Sequence, residues 1–200
     1  SNTVHMKIMY GDITSKRGIN QSNIKARLGN EIKVYAENNH FKAADVQQII
    51  HLVDMDGAFV DDSVIIEDET KDKFVYTLQS VIVPNRQVAI ERNEHKRENL
   101  NTLSSRTSVM WNNIPYKIYY MSCNLDHVLH DKPNATDEEK KANSLAFTEM
   151  YYDDINAFIK FISESTFSQC TDYKESWDYI KQDKHSLERN SNLGLCFIGL

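Results

Sequence analysis

The apolar run Ile49-Ile50-His51-Leu52-Val53 ends in Asp54-Met55-Asp56-Gly57, and no other stretch limits the fold as tightly. A short, β-branched apolar run suits a buried strand of a parallel sheet. Strand alternation would place Asp54 and Asp56 on one side, roughly 6–7 Å apart. Gly57 would then let the chain turn sharply and leave room for a ligand. Open α/β sheets bind ligands outside the carboxyl ends of their strands. Two carboxylates at such an end repel each other, and a hard divalent cation relieves that repulsion. Mg²⁺ typically takes one or two carboxylates together with phosphate oxygens. The expected cofactor is therefore Mg²⁺ or Mn²⁺, and the expected chemistry is metal-assisted phosphoryl or phosphodiester transfer. The competing reading is a plain polar turn after a strand, since Asp and Gly favour turns.

The surrounding pattern is that of an α/β chain. Met6–Tyr10 reads as a short strand ended by Gly11-Asp12, which makes Asp12 the candidate third carboxylate. Ser22 or Asn23 would cap a helix that buries Ile24, Leu28, Ile32 and Tyr35. Gly29 inside it costs about 1 kcal/mol relative to Ala, so that helix needs packing support. Strand, helix and strand joined by polar turns predict a mainly parallel sheet with helical crossovers. Val64–Ile66 is a short extended piece, residues 87–103 read as a salt-bridged surface helix, and Tyr116–Met121 reads as a strand. After Pro133, Thr136 and Glu139 form a capping box. From that box, helical spacing through Phe147, Tyr151, Ile155, Phe158, Ile159 and Ile162 predicts one long helix of about seven turns, and a last helix starts near Asp172. The expected organisation is one α/β domain over 1–200, with a sheet-forming part at 6–121 and a helical part at 134–200.

With 40% apolar and 26% charged residues, the chain has globular composition, which excludes disordered and collagen-like classes. No apolar stretch approaches the roughly 20 residues that span a bilayer, and no signal peptide is readable. Three widely spaced cysteines never form a CxxC, so reduced thiols and a cytoplasmic protein are expected. The net charge of −6 is concentrated: between Asp54 and Glu69 there are seven acids and no Lys or Arg. That segment begins at the proposed cation site.

Two families use such a strand end. Asp54-Met55-Asp56-Gly57 resembles the D-x-D element of TOPRIM, the metal-binding α/β domain of topoisomerases, primases and OLD-type nucleases. The resemblance implies a TOPRIM-like sheet in which Asp54 and Asp56 hold the cation and cleave phosphodiesters. No Glu ends an N-terminal strand here, and Asp12 stands in that place. Residues 50–61 also resemble the first motif of the haloacid-dehalogenase (HAD) phosphatases, with Ala58 where Thr or Val is expected. That resemblance implies Asp54 as nucleophile, Asp56 as general acid/base and Ser122 as the phosphate-binding hydroxyl. Residues 116–130 and 172–197 are similar to a bacterial protein family that coarsely resembles the RloB-related TOPRIM proteins.

Further candidates follow the strand ending at Met121. Ser122, Cys123, Asn124, Asp126, His127 and His130 cluster there, with Asp126 and His130 one helical turn apart and able to approach a metal or phosphate. Helix capping by Ser122 or Asn124 accounts for the same residues. Cys123 with His127 is a weaker nucleophile pair, since nothing in the sequence indicates a lowered thiol pKa. Residues 1–42 carry seven bases against three acids, and Lys16, Arg17, Lys25 and Arg27 could hold a phosphodiester backbone or simply be solvated. The expected partner is nucleic acid or a phosphorylated small molecule, with no membrane. A catalytically silent interaction module of the same fold is the alternative from a different class.

Overall fold

The computed structural model describes residues 4–9 and 11–198, and its contacts divide the chain into two compact units. The first comprises residues 1–51 and 94–118, the second residues 52–93 and 119–200. The chain is α/β, with six helices, α1 (Ile24–Asn38), α2 (Arg86–Ser104), α3 (Leu125–His130), α4 (Asp137–Tyr151), α5 (Ile155–Glu164) and α6 (Tyr173–Ile180), among the described residues. Strands β1 (Ile49–Asp54) and β5 (Tyr116–Met121) pair as a two-stranded sheet, and β2 (Ile65–Glu67), β4 (Val81–Val83) and β3 (Val75–Tyr76) form a second, in that order.

In the first unit, residues 4–9 form no strand, contrary to the expectation for Met6–Tyr10; Tyr10 lies outside the described residues. Val4, Met6 and Ile8 are exposed, and the segment is tied down by side chains instead. Lys7 Nζ donates to both the carboxylate (2.7 Å) and the backbone carbonyl of Glu31, and Tyr35 Oη donates to the Met6 carbonyl. Helix α1 buries Ile24, Leu28, Gly29 and Ala36, while Ile32 and Tyr35 stay half-exposed. Gly29 has its reason here. A Cβ on it would stand 2.5 Å from the Val109 carbonyl oxygen, so the helix gives up local propensity for a close backbone approach.

In the second unit, β2 runs parallel to β4 (Ile65 opposite Val81) and β3 runs antiparallel to it (Val75 opposite Ile82). Val60, Ile65, Val81, Val83, Ala89 and Leu187 form one buried cluster. Met121, Val128, Ile162 and Phe167 form another, flanked by Phe158, Phe161 and Phe197. The long helix expected from the Thr136 capping box to Ile162 is two helices, α4 and α5. Asp154 ends the continuity because its carboxylate accepts the Ala157 N–H and starts α5 afresh. Thr136 and Glu139 form the capping box of α4, and Asp172 caps α6.

Helix α2 departs most from its reading as a surface helix. Ala89, Asn93, Lys96, Asn99, Leu100 and Leu103 are all buried. The spacing is helical, but half the stripe is polar, so a hydrophobicity count does not see it.

Candidate functional site

The ends of β1 and β5 meet in the second unit. Met55 N–H donates to the Met121 carbonyl at 2.9 Å, and Asp56 N–H donates to the Cys123 carbonyl at 2.7 Å. In the first unit the other end is held by Ile49 N–H on the Pro115 carbonyl at 2.8 Å. The bonds at residues 49 and 55 advance along both strands together, so the pair is parallel and Asp54 closes its carboxyl end. The strand is not fully buried as expected. Ile50 and Leu52 are 50% and 42% exposed, because a two-stranded sheet leaves one face uncovered.

The extended geometry assumed for Asp54 and Asp56 stops at Asp54. Asp56 has φ +50° and Gly57 φ +65°, and Ala58 N–H closes the turn on the Met55 carbonyl at 2.9 Å. Positive φ at both central positions is what a type I′ turn requires, and Asp-Gly supplies it. Strand alternation therefore does not set the direction of the Asp56 side chain.

That turn is held firmly. An Arg92 guanidinium nitrogen donates to the Asp56 carbonyl at 2.7 Å while the guanidinium lies 4.5 Å over the Phe74 ring. A Cβ at Gly57 would come within 3.1 Å of Val81 and 3.2 Å of Leu187. Burial raises the Tyr76 phenol well above its ordinary value, and the Asp56 charge adds to the rise while Arg92 opposes it.

After β5 the chain does what the capping reading expects. Asn124 Oδ1 accepts the His127 N–H and starts α3, and Asn124 Nδ2 donates to the Pro133 carbonyl. Ser122 is fully buried and its hydroxyl accepts the Asn190 N–H at 2.7 Å. Cys123 is buried at φ +53°, its N–H donating to the Ser186 carbonyl. Asp126 accepts from Asn143 Nδ2 at 3.0 Å, and His130 packs edge-on against Phe147. Burial lowers the pKa of both His127 and His130, with Asp131 and Asp126 respectively opposing it.

Asp12 belongs to the first unit and has a different set of partners. Lys96 Nζ, on a side chain with 0% exposure, donates to Asp12 Oδ2 at 2.7 Å; Thr14 Oγ1 donates to Asp12 Oδ1 at 2.6 Å. Burial alone would raise the Asp12 carboxyl, but the Lys96 ammonium and the bonds from Lys96 and Thr14 outweigh it and hold the pKa below its usual range. His51 shares a 2.9 Å hydrogen bond with the Tyr116 hydroxyl through Nδ1. Burial pulls the His51 pKa down to about 4, against the opposing charge of Asp12, so the imidazole is neutral at pH 7. By sequence, Lys96 reads as one of the bases of a salt-bridged surface helix, and neither His51 nor Tyr116 is named as a site residue. The available signal was the helical register of Lys96 with Ala89, Asn93, Leu100 and Leu103.

Lys16 and Arg17 line a cavity of the first unit together with Lys7 and Arg27. Lys25 is not among its lining residues. Among the described residues, no group of three or more His, Cys, Asp or Glu side chains is arranged to hold a metal ion. No described helix is long and apolar enough to cross a membrane. Compared with known proteins, the chain matches no family model, no curated protein and no solved structure. The site rests on its own geometry.

Proposed function

We propose that the second unit handles a phosphoryl group at the end of β1, with Asp54 as nucleophile in a HAD-like arrangement. One observation supports this above the rest. The Asp54–Gly57 turn leaves the carboxyl end of a parallel strand pair and is fixed on three sides, by the Cys123 carbonyl, by Arg92 and by packing around Gly57. A group that must meet phosphorus in line gains rate from being held in place beforehand.

In this reading the Asp54 carboxylate attacks phosphorus, the bond to the leaving oxygen breaks, and an aspartyl phosphate forms. Asp56 gives its proton to the leaving oxygen, then takes one from the water that hydrolyses the intermediate. Arg92 is a positioning residue that holds the Asp56 backbone. In this reading Asp54 is the residue that would hold Mg²⁺ or Mn²⁺, with water and substrate oxygens completing the shell and Asp56 committed to proton transfer; the cation would supply neutralisation of phosphate charge. A TOPRIM-like version, cleaving phosphodiesters in nucleic acid, uses the same pair with Asp12 as third carboxylate. It is less favoured because Asp12 carries Lys96 and no strand is formed by residues 4–9.

Hydrolysis of p-nitrophenyl phosphate and of its bis-ester, each with Mg²⁺ or Mn²⁺, separates the readings. The HAD-like reading expects monoester turnover that falls at least about a thousandfold in Asp54→Asn. Turnover of the bis-ester alone would favour the TOPRIM-like version. With neither ester turned over, the interaction module remains.

A further inference from the structure

The first unit contains a cationic cavity that the phosphoryl reading does not use. Loop residues Lys16 and Arg17, Lys7 from the preceding segment, and Arg27, Asn30 and Glu31 from α1 line a space of about 640 Å³. The loop is shaped by its own bonds. Ser15 N–H closes on the Asp12 carbonyl, Ile19 N–H closes on the Lys16 carbonyl, and Asn23 Nδ2 reaches back to the Gly18 carbonyl. Asn30 and Glu31 lie three and four residues after Arg27 on α1, one helical turn on, so one face of that helix supplies the opposite wall.

The charges do not cancel. Glu31 is the one acid in the lining, and Lys7 binds it at 2.7 Å. The Lys7 bond and charge, with a smaller pull from Lys16, hold the Glu31 carboxyl below its usual range. Among the described lining residues four cations face one acid, which leaves a net charge of +3. Two are guanidinium groups, whose planar fork of donors matches phosphate oxygens. The wall is not purely polar, since Ile13 and Ile19 also contribute to it. Apolar lining beside convergent donors, in a cavity of this size, suits an organic ligand better than a bare ion.

We infer that this cavity binds a small organic phosphate of nucleotide size. The phosphate oxygens meet Arg17, Arg27 and Lys16, and the organic part lies against the Ile13 and Ile19 side. The site stands independently of the role given to Asp54.

Isothermal titration calorimetry with ATP, in chelator and at low salt, tests it on the full chain. Wild type is expected to bind ATP, and Arg17→Gln/Arg27→Gln to lose at least tenfold in affinity. Lys16→Gln, a milder change, is expected to lose a smaller but measurable part. Lys25→Gln/Lys33→Gln removes the same charge from α1 outside the lining and is expected to change affinity less than twofold, as is Asp54→Asn. The inference is overturned if ATP does not bind wild type. It is also overturned if the Lys25/Lys33 variant loses as much as the Arg17/Arg27 variant, or if Asp54→Asn abolishes binding, which would place the ligand at the strand end. Binding of a (dT)15 oligonucleotide without binding of ATP would replace it with a nucleic-acid strand.

Discussion

The two units each carry aspartates just after a short apolar segment, and the bonds that surround them differ. Asp12 is embedded in polar partners: the buried Lys96, Thr14 and Ser15, with neutral His51 close enough to feel its charge. Asp54 and Asp56 sit where a parallel strand gives way to a turn held through its backbone. An aspartate beside a fully buried ammonium is needed by that ammonium, because removing either partner leaves the other charge desolvated and unpaired. A carboxylate at the carboxyl end of a strand sits where open α/β sheets bind ligands, which is the place the phosphoryl proposal gives Asp54. Composition alone does not distinguish the two cases; their surroundings do.

The contrast is most exposed to attack at Lys96. Lys96→Met should cost about 3 kcal/mol in urea denaturation, since it strands a partly buried carboxylate. Adding Asp12→Asn to it should recover part of that loss, because the stranded charge is gone. If Lys96→Met left stability unchanged, the ion pair would be ornamental and Asp12 would return as a candidate ligand.

A smaller effect concerns pH. His51 is neutral in the folded state, with its pKa at about 4 against an ordinary 6.5. The unfolded chain therefore binds the extra proton first. The stabilising contribution is complete above pH 6.5 and is lost as pH falls from there toward 4, by at most about 1.4 kcal/mol per pH unit. His127 and His130 act with the same sign. Asp12, whose pKa is lowered, adds a loss that begins as pH falls into the usual carboxylate range and continues below it. His51→Gln should flatten the stability profile between pH 4 and 6.5 without touching the more acidic limb. An unchanged profile would contradict the burial of the imidazole.

The sequence was informative where local chemistry governs. The strands at Ile49–Asp54 and Tyr116–Met121, the Thr136–Glu139 capping box and the Asp172 cap all follow from short-range patterns. It was misleading where tertiary partners decide. Residues 4–9 have the alternation of a strand but are held by Glu31 and Tyr35 through side chains. Helix α2 looks solvated by charge count, yet it buries Lys96 because Asp12, 84 positions earlier, receives its ammonium. For the Asp-Gly pair, the turn residues were legible, but the positive φ at Asp56 that removes the alternation argument was not. Lys16 and Arg17 were legible as charge. Their convergence with Lys7 and Arg27 on one cavity depends on the path of the loop.

The central claim is the assignment of Asp54. Incubation with acetyl phosphate and Mg²⁺, followed by borohydride reduction and peptide mass spectrometry, reads it directly. Reduction of an aspartyl phosphate leaves homoserine, and the account predicts that product at position 54 in wild type and in Asp12→Asn. A product at another aspartate, or an unmodified Asp54 in a chain that turns over phosphate esters, would contradict it.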